Sequence, residues 1–109
     1  MKVTASISTR NRYFTTLPAC LIAIANQTKV PNEIIIFDDG DHLDLREEPI
    51  YQNIFNHFSK RDIEWRVEFG SGEGQVKNHQ KTIEIAKHEL IWRLDDDNIP
   101  ESNVLEIIS

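Results

Sequence analysis

The stretch that decides the fold is Glu33-Ile34-Ile35-Ile36-Phe37-Asp38-Asp39-Gly40, an apolar run that ends in two carboxylates and a glycine. Four consecutive apolar residues, three of them β-branched, are typical of a strand that is covered on both faces of a parallel sheet. Parallel strands need long crossover connections, which are usually helices. The sequence therefore predicts an α/β fold built around this strand.

Apolar runs and segments with helical spacing alternate on both sides of this strand, with no internal repeat. Strands are predicted at 3–8, 33–37, 63–69 and 90–94. Helices are predicted from the spacing of Leu17, Leu21, Ile24 and Ala25, of Ile50, Ile54, Phe55 and Phe58, and of Ile83 and Ala86 within 75–87, with Val76 and His79 as further candidates for that face. A short final helix is predicted to carry Val104, Leu105 and Ile108. The charged stretch 41–48 is predicted to be an exposed loop. Right-handed crossovers then give a doubly wound parallel sheet with strand order 3-2-1-4 and helices on both faces.

Polar residues follow three of the predicted strands, in the segments 8–12, 38–40 and 95–98. In a sheet of this order the chain reverses its direction of winding between strands 1 and 4. Ligands of such sheets bind at the carboxyl ends of the strands beside that reversal. The three segments are therefore expected to converge on one site.

Composition narrows the class of protein. The chain has 109 residues, which is the size of one domain, and a formal net charge of −6. A nucleic-acid surface is not expected, because phosphate binding needs clustered Lys and Arg. No apolar run is long enough to span a membrane, and no secretory leader is recognisable. The lone Cys20 excludes a disulfide framework and a cysteine-based zinc site, so a cytoplasmic location is expected.

Asp95, Asp96 and Asp97 directly follow the last predicted strand. Adjacent carboxylates repel one another, and a hard divalent cation would relieve that repulsion. Mg²⁺ and Mn²⁺ take one or two carboxylates together with phosphate oxygens, so a nucleoside diphosphate is the expected second half of such a site. If the extended backbone continues, Asp95 and Asp97 share a face and Asp96 does not. The alternative interpretation is a solvated turn whose aspartates cap the next helix.

Five stretches of this chain resemble, in order, the motifs of family 2 glycosyltransferases: residues 6–12, 26–28, 33–40, 86–89 and 94–97. They are similar to that family's first strand and Asn-Arg loop, its Gln-Thr, its strand ending in Asp-Asp-Gly, its Ala-Lys-Gly-Glu and its metal-binding DxD segment. Together they cover nearly the whole chain. The resemblance implies the N-terminal, nucleotide-sugar-binding half of that family, with its Rossmann-like GT-A fold.

For the nucleobase, the resemblance implies that Ser8 and Thr9 lie against the ring and that Asp39 accepts a hydrogen bond from a ring N–H. A UDP-sugar is the favoured donor. Arg10 stands where the family usually has tyrosine, and it is expected to pair with a phosphate or with Asp39. Ser8 likewise replaces the usual proline.

For the diphosphate, the resemblance implies that Asp95 and Asp96 contact the ribose and the sugar-phosphate region. Asp97 would be the main ligand of Mn²⁺ or Mg²⁺, with Asp95 as a further metal ligand. The implied reaction is glycosyl transfer from a nucleotide-diphospho-sugar to an acceptor that the sequence does not identify. The cation would act as a Lewis acid on the departing diphosphate.

Members of this family are considerably longer than 109 residues, with the acceptor site and an Asp or Glu general base beyond the DxD segment. We therefore expect residues 1–109 to be one incomplete GT-A domain that lacks the general base. Strand 4 would then be an open edge, and self-association through it is expected.

Two other functions are compatible with parts of the pattern. A phosphoacceptor receiver module also places acidic residues at a strand end, but it requires a Lys after a fifth strand, which is not found here. A non-catalytic remnant or interaction module would retain the fold without donor binding. It would tolerate substitution of Asp39 and Asp97.

Overall fold

The computed structural model describes residues 2–41, 43–69, 75–88 and 90–108. Strands and helices alternate along these residues. In chain order they are β1 (Val3–Thr9), α1 (Leu17–Ala25), β2 (Glu33–Asp38), α2 (Pro49–Lys60), β3 (Glu64–Phe69), α3 (Gln75–Ile85), β4 (Leu90–Asp95) and α4 (Val104–Ile108). None of the helices in these ranges is long and apolar enough to cross a membrane.

The four strands form one parallel sheet in the order β3-β2-β1-β4, which confirms the predicted topology. Ile7 of β1 pairs with Ile36 of β2 on one side and with Leu94 of β4 on the other. Every side chain of β2 is buried, as expected for a strand covered on both faces. The sheet is therefore the doubly wound type predicted from the sequence.

The hydrophobic core lies between one face of the sheet and the helices α1 and α2. Its members from the strands are Ala5, Ile7, Ile34, Ile36 and Leu94, and its members from the two helices include Leu17, Leu21, Ile24, Tyr51, Ile54, Phe55 and Phe58. The helix face defined by residues 51, 54, 55 and 58 has the spacing of an amphipathic helix. Ile50, which we had predicted on that face, lies beside it and is 43% exposed.

The second face of the sheet is polar where α3 covers it. Hydrogen bonds of 2.7 Å join Ser6 Oγ of β1 to His79 Nδ1 and to Thr82 Oγ1 of α3. The buried side of this helix is therefore polar. Of the residues predicted on its inner face, His79 is buried, but Ile83 is 68% exposed. The spacing of apolar residues misplaced Ile83 because the surface under the helix carries hydroxyl groups.

The stretch 41–48 is more ordered than predicted from its charge. Within the part that is described, Leu45–Glu47 forms a short 3-10 helix. Leu45 is buried in the core, and the Asp44 carboxylate accepts a hydrogen bond from the Arg46 backbone N–H. A single apolar side chain thus anchors a segment that we had predicted to be an exposed loop. The glycine-rich stretch 70–74 lies outside the described residues.

The strand β4 pairs with β1 alone among the described strands, so its other edge is open. Ile91 and Trp92 on this strand are only partly buried. Open edges with apolar side chains favour pairing between molecules. We expect the sedimentation coefficient of the 109-residue chain to rise with concentration between about 10 μM and 1 mM.

Ile91→Lys is the matched variant for this expectation, because lysine on an edge strand opposes pairing. It should sediment as a monomer over the same range. A wild-type chain that remains monomeric throughout would show that the open edge does not drive association.

Candidate functional site

The predicted convergence of strand ends forms an open cleft of about 440 Å³ at the carboxyl end of the sheet. Its walls come from the end of β1 and the loop after it, the residue after β2, and the end of β4. The lining residues are Ser8, Thr9, Arg10, Arg12, Asp39, Asp95, Asp96 and Asp97. All seven residues proposed from the sequence thus line one cleft, together with Arg12. Their roles toward a ligand stay predictions.

Asp96 connects the two strands that flank the winding reversal. It is only 7% exposed, and its Oδ2 accepts a hydrogen bond of 2.8 Å from the Thr9 hydroxyl. Its Oδ1 accepts another of 3.2 Å from the Arg12 guanidinium. The strand β4 ends at Asp95, and a turn begins at Asp96. The side chains therefore do not alternate through the triplet, and all three carboxylates border the cleft.

The outer part of the triplet is more open to solvent. The Asp97 side chain is 54% exposed, and its Oδ2 lies 3.7 Å from the same Arg12 guanidinium. Asp95 is also exposed, and its backbone N–H donates to Asn98 Oδ1 at 2.8 Å, which closes the turn. Arg12 thus offsets part of the repulsion within the triplet. The carboxylates of Asp95 and Asp97 remain accessible from the cleft.

The thiol of Cys20 lies close to the aspartate triplet, and the negative charges there affect its pKa. Its Sγ–H donates to the Asp95 backbone oxygen at 3.6 Å. Burial, with a smaller contribution from the aspartates of the triplet, raises the pKa of Cys20 to about 12. A thiol with this pKa is protonated and unreactive at neutral pH. Cys20 is thus a buried packing residue.

Asp38 and Asp39 are adjacent but serve different surroundings. Asp38 is fully buried and accepts hydrogen bonds from the Tyr13 hydroxyl, at 2.8 and 2.9 Å, and from the Gly40 backbone N–H, at 2.8 Å. Asp39 lines the cleft, and its Oδ2 accepts a hydrogen bond of 2.7 Å from Asn78. Asp38 stabilises the turn after β2, and Asp39 presents its carboxylate to the cleft.

Gly40 occupies a position in this turn where there is no room for a side chain. A Cβ at this position would lie 2.7 Å from the backbone nitrogen of Asn11 and 2.8 Å from the Tyr13 hydroxyl. Asn11 itself has a positive φ of 55°, and its Oδ1 accepts a hydrogen bond from the Asp41 backbone N–H. The loops after β1 and β2 therefore touch through Gly40.

His79 lies beneath the cleft on α3 and is 3% exposed. Burial, together with the positive charge of Arg93, lowers its pKa, while Asp95 acts in the opposite direction. At pH values above the unfolded pKa, about 6.5, the imidazole is neutral in both states. As the pH falls below that value, the unfolded chain takes up a proton that the folded chain resists.

We therefore expect the free energy of unfolding to fall between about pH 7 and pH 5, and part of this decrease to come from His79. Urea denaturation of the wild type and of His79→Gln at both pH values measures that part. The variant should have the shallower pH dependence. Parallel curves for the two proteins would show that His79 does not contribute.

The comparisons with known proteins agree with this geometry. The sequence model described as "Glycosyl transferase family 2" matches residues 4–108 of the chain. The chain belongs to glycosyl transferase family 2. The resemblance found in the sequence motifs is thereby confirmed. Among curated proteins, none matches this chain.

Solved structures of TarS from S. aureus share the fold of this family 2 chain. A structure of TarS aligns with a TM-score of 0.68 at 21% identity over 98% of this chain. TarS 1–349 in complex with UDP aligns with a TM-score of 0.71 at 18% identity. The same protein in complex with UDP-GlcNAc aligns with a TM-score of 0.68 at 17% identity, and both alignments cover 98% of this chain. This chain spans 18% of the first TarS chain and 30% of the other two.

Three contacts of the site were not predicted from the sequence. These are the bond between Thr9 and Asp96, the bonds from Tyr13 to Asp38, and the bond from Asn78 to Asp39. Each joins residues that are 25 or more positions apart. Thr9, Asp39 and Asp96 were already identified by their positions at strand ends. Tyr13 also lies shortly after a strand end, so its position could have identified it, whereas Asn78 has no such signal.

Proposed function

We propose that the cleft binds the nucleoside diphosphate part of a nucleotide-sugar donor, with UDP as the favoured nucleotide, for glycosyl transfer. The observation that carries this proposal is the meeting of three strand ends in one cleft. The residue after β2 contributes an anchored carboxylate, that of Asp39, to this cleft. The ends of β1 and β4 contribute guanidinium groups and exposed carboxylates. The TarS structures with UDP and UDP-GlcNAc support it, because they have the same fold.

The base is assigned to the part of the cleft formed by Ser8, Thr9 and Asp39. An anionic carboxylate has only acceptors, so it selects a ring that presents an N–H donor. Uracil has one such N–H beside two carbonyl groups. Asp39 is held by Asn78, and Ser8 is held by the same amide at 2.8 Å. A fixed acceptor loses less conformational freedom on binding than a mobile one.

The diphosphate is assigned to the part formed by Arg10, Arg12, Asp95 and Asp97. Arg10 is exposed, and no carboxylate in the described parts of the chain pairs with it. Arg12 is half exposed and already bridges two aspartates of the triplet. Guanidinium groups bind phosphate oxygens through paired N–H donors. We propose that both arginines face the diphosphate.

Asp95 and Asp97 fit a divalent cation in the kind of donor that they offer. Mg²⁺ and Mn²⁺ prefer oxygen ligands and usually take only one or two carboxylates, with phosphate and water oxygens as the rest. Among the described residues, no three His, Cys, Asp or Glu side chains are grouped as a metal site, so nucleotide oxygens would have to contribute. When bound, the cation would stabilise negative charge on the leaving diphosphate.

We propose further that the acceptor site and the general base lie outside residues 1–109. Among the described residues that line the cleft, Asp39 is assigned to the base and Asp95 and Asp97 to the diphosphate and the cation, while the buried Asp96 bonds to Thr9 and Arg12. The TarS chains that share this fold extend well beyond the region that this chain matches. The reaction as a whole is thus a property proposed for a longer protein or a complex, and donor binding is the property proposed for this chain.

Calorimetric titration of the 109-residue chain with UDP, with and without Mn²⁺, tests the proposal. Heat of binding that requires Mn²⁺ is the expected result. A folded chain that binds none of UDP, GDP or dTDP in the presence of Mn²⁺ would support a remnant that retains only the fold. Binding of GDP or dTDP in place of UDP would support the proposed site and show that uracil is not the base it recognises.

A further inference from the structure

The buried side of the cleft contains an amide that the roles above do not use. Asn78 of α3 is fully buried, and its Nδ2 donates hydrogen bonds to two different strand ends. One goes to the Ser8 hydroxyl at 2.8 Å, and the other goes to Asp39 Oδ2 at 2.7 Å. Because Ser8 belongs to β1 and Asp39 follows β2, a single side chain links the two positions assigned to the base.

The orientation of this amide is fixed by its partner. A carboxylate can only accept, so the NH₂ group of Asn78 must face Asp39. The other end of the amide, Oδ1, is buried and has no hydrogen-bond partner among the residues that the structure describes. A buried acceptor without a partner is unfavourable. The two hydrogen bonds that Nδ2 donates, to Ser8 and Asp39, therefore hold the side chain in this position.

Attachment of α3 to the sheet does not depend on the contact with Asp39. Ser6 of β1 already bonds to His79 and to Thr82 of the same helix, each at 2.7 Å. Thr82 Oγ1 also donates to the Asn78 backbone oxygen at 3.1 Å within the helix. The two bonds of Ser6 join helix to strand without touching the cleft. The bond from Asn78 to Asp39 is thus an addition to the packing of α3.

We propose that Asn78 is a positioning residue for nucleobase recognition. It sets the rotation of the Asp39 carboxylate and the place of the Ser8 hydroxyl before the nucleotide arrives. Its effect on affinity is confined to the part of the ligand that Asp39 recognises. This inference rests on the proposed function of the cleft, since it assigns a role to a residue that supports Asp39.

The test compares two nucleotides, UDP and its N3-methyl derivative, which lacks the ring N–H. We expect the wild type, with Mn²⁺, to bind UDP about tenfold or more tightly than the methyl derivative, the difference typical of one hydrogen bond to a charged group. In Asn78→Ala the UDP affinity should fall and this ratio should decrease toward one. In Asn78→Asp, which preserves the shape and replaces the donor with an acceptor, the loss of UDP affinity should be larger.

Thr82→Val is the matched control, because it removes a hydroxyl from the same buried helix face without touching Asp39. It should preserve the wild-type ratio. If Asn78→Ala lowers both affinities equally, or changes neither, Asn78 has only a structural role and the inference is wrong. If the wild type binds neither nucleotide with Mn²⁺, the assignment of uracil fails and the inference fails with it, whereas the proposed function fails only if GDP and dTDP do not bind either. If the wild type binds UDP and the methyl derivative with equal affinity, Asp39 does not recognise the ring N–H and the inference is wrong.

Discussion

Asp97→Ala is expected to lower the affinity for UDP in the presence of Mn²⁺ by roughly 30-fold or more, which corresponds to about 2 kcal/mol. The substitution removes the half-exposed carboxylate that we assign as the main protein ligand of the cation. It leaves the buried Asp96 and its bonds to Thr9 and Arg12 in place. The fold should therefore survive, and calorimetric titration should report the loss at the site itself.

Glu101→Ala is the control for this substitution, because it removes one exposed carboxylate that does not line the cleft. It changes the net charge by the same amount and should bind UDP as the wild type does. The dependence on Mn²⁺ should be lost in Asp97→Ala alone. Equal affinities of Asp97→Ala and the wild type, with Mn²⁺ present, would contradict the assignment of Asp97.

Gly40→Ala is expected to lower the free energy of unfolding by about 1–3 kcal/mol, the range typical of an added methyl group in a packed site. The new Cβ would lie 2.7 Å from a backbone nitrogen, so the loops after β1 and β2 must separate. That movement displaces Asp39, which directly precedes Gly40 in the chain. UDP affinity should therefore fall together with stability. Urea denaturation measures the first effect, and calorimetric titration measures the second.

Asp41→Ala is the matched control in the neighbouring position. Asp41 is exposed, and its bond to Asn11 uses the backbone N–H, which alanine retains. Its free energy of unfolding should stay within about 0.5 kcal/mol of the wild type. A Gly40→Ala protein as stable as the wild type would mean that the two loops are not in the close contact described above.

The sequence was sufficient for the topology because the relevant signals are local. The four β-branched and aromatic residues of 34–37 identify a central strand, and right-handed crossovers then restrict the order of its neighbours. The same logic places the polar residues that follow β1, β2 and β4 at one end of the sheet. The cleft-lining set from Ser8 to Asp97 follows from this topology and from the family resemblance.

The parts that could not be predicted depend on tertiary partners. The prediction for Ile83 of α3 was wrong because Ser6 of β1 gives the sheet a polar surface there, and apolar spacing carries no information about such a surface. The burial of Asp96 depends on Thr9, which lies 87 residues away. Asn78 has no motif that marks it as a partner of Asp39. Hydrogen bonds between distant side chains leave no periodic signal in the sequence.

The most direct test of the central claim is paramagnetic broadening of backbone amide signals by Mn²⁺ in the presence of UDP. The claim is that the carboxyl ends of β1, β2 and β4 hold a nucleoside diphosphate together with a cation. We expect broadening to be strongest at 95–98 and to extend to 8–12 and 39–40. Signals at the opposite end of the sheet, near Asn32, should remain sharp. Broadening centred elsewhere, or equal with and without UDP, would contradict the account.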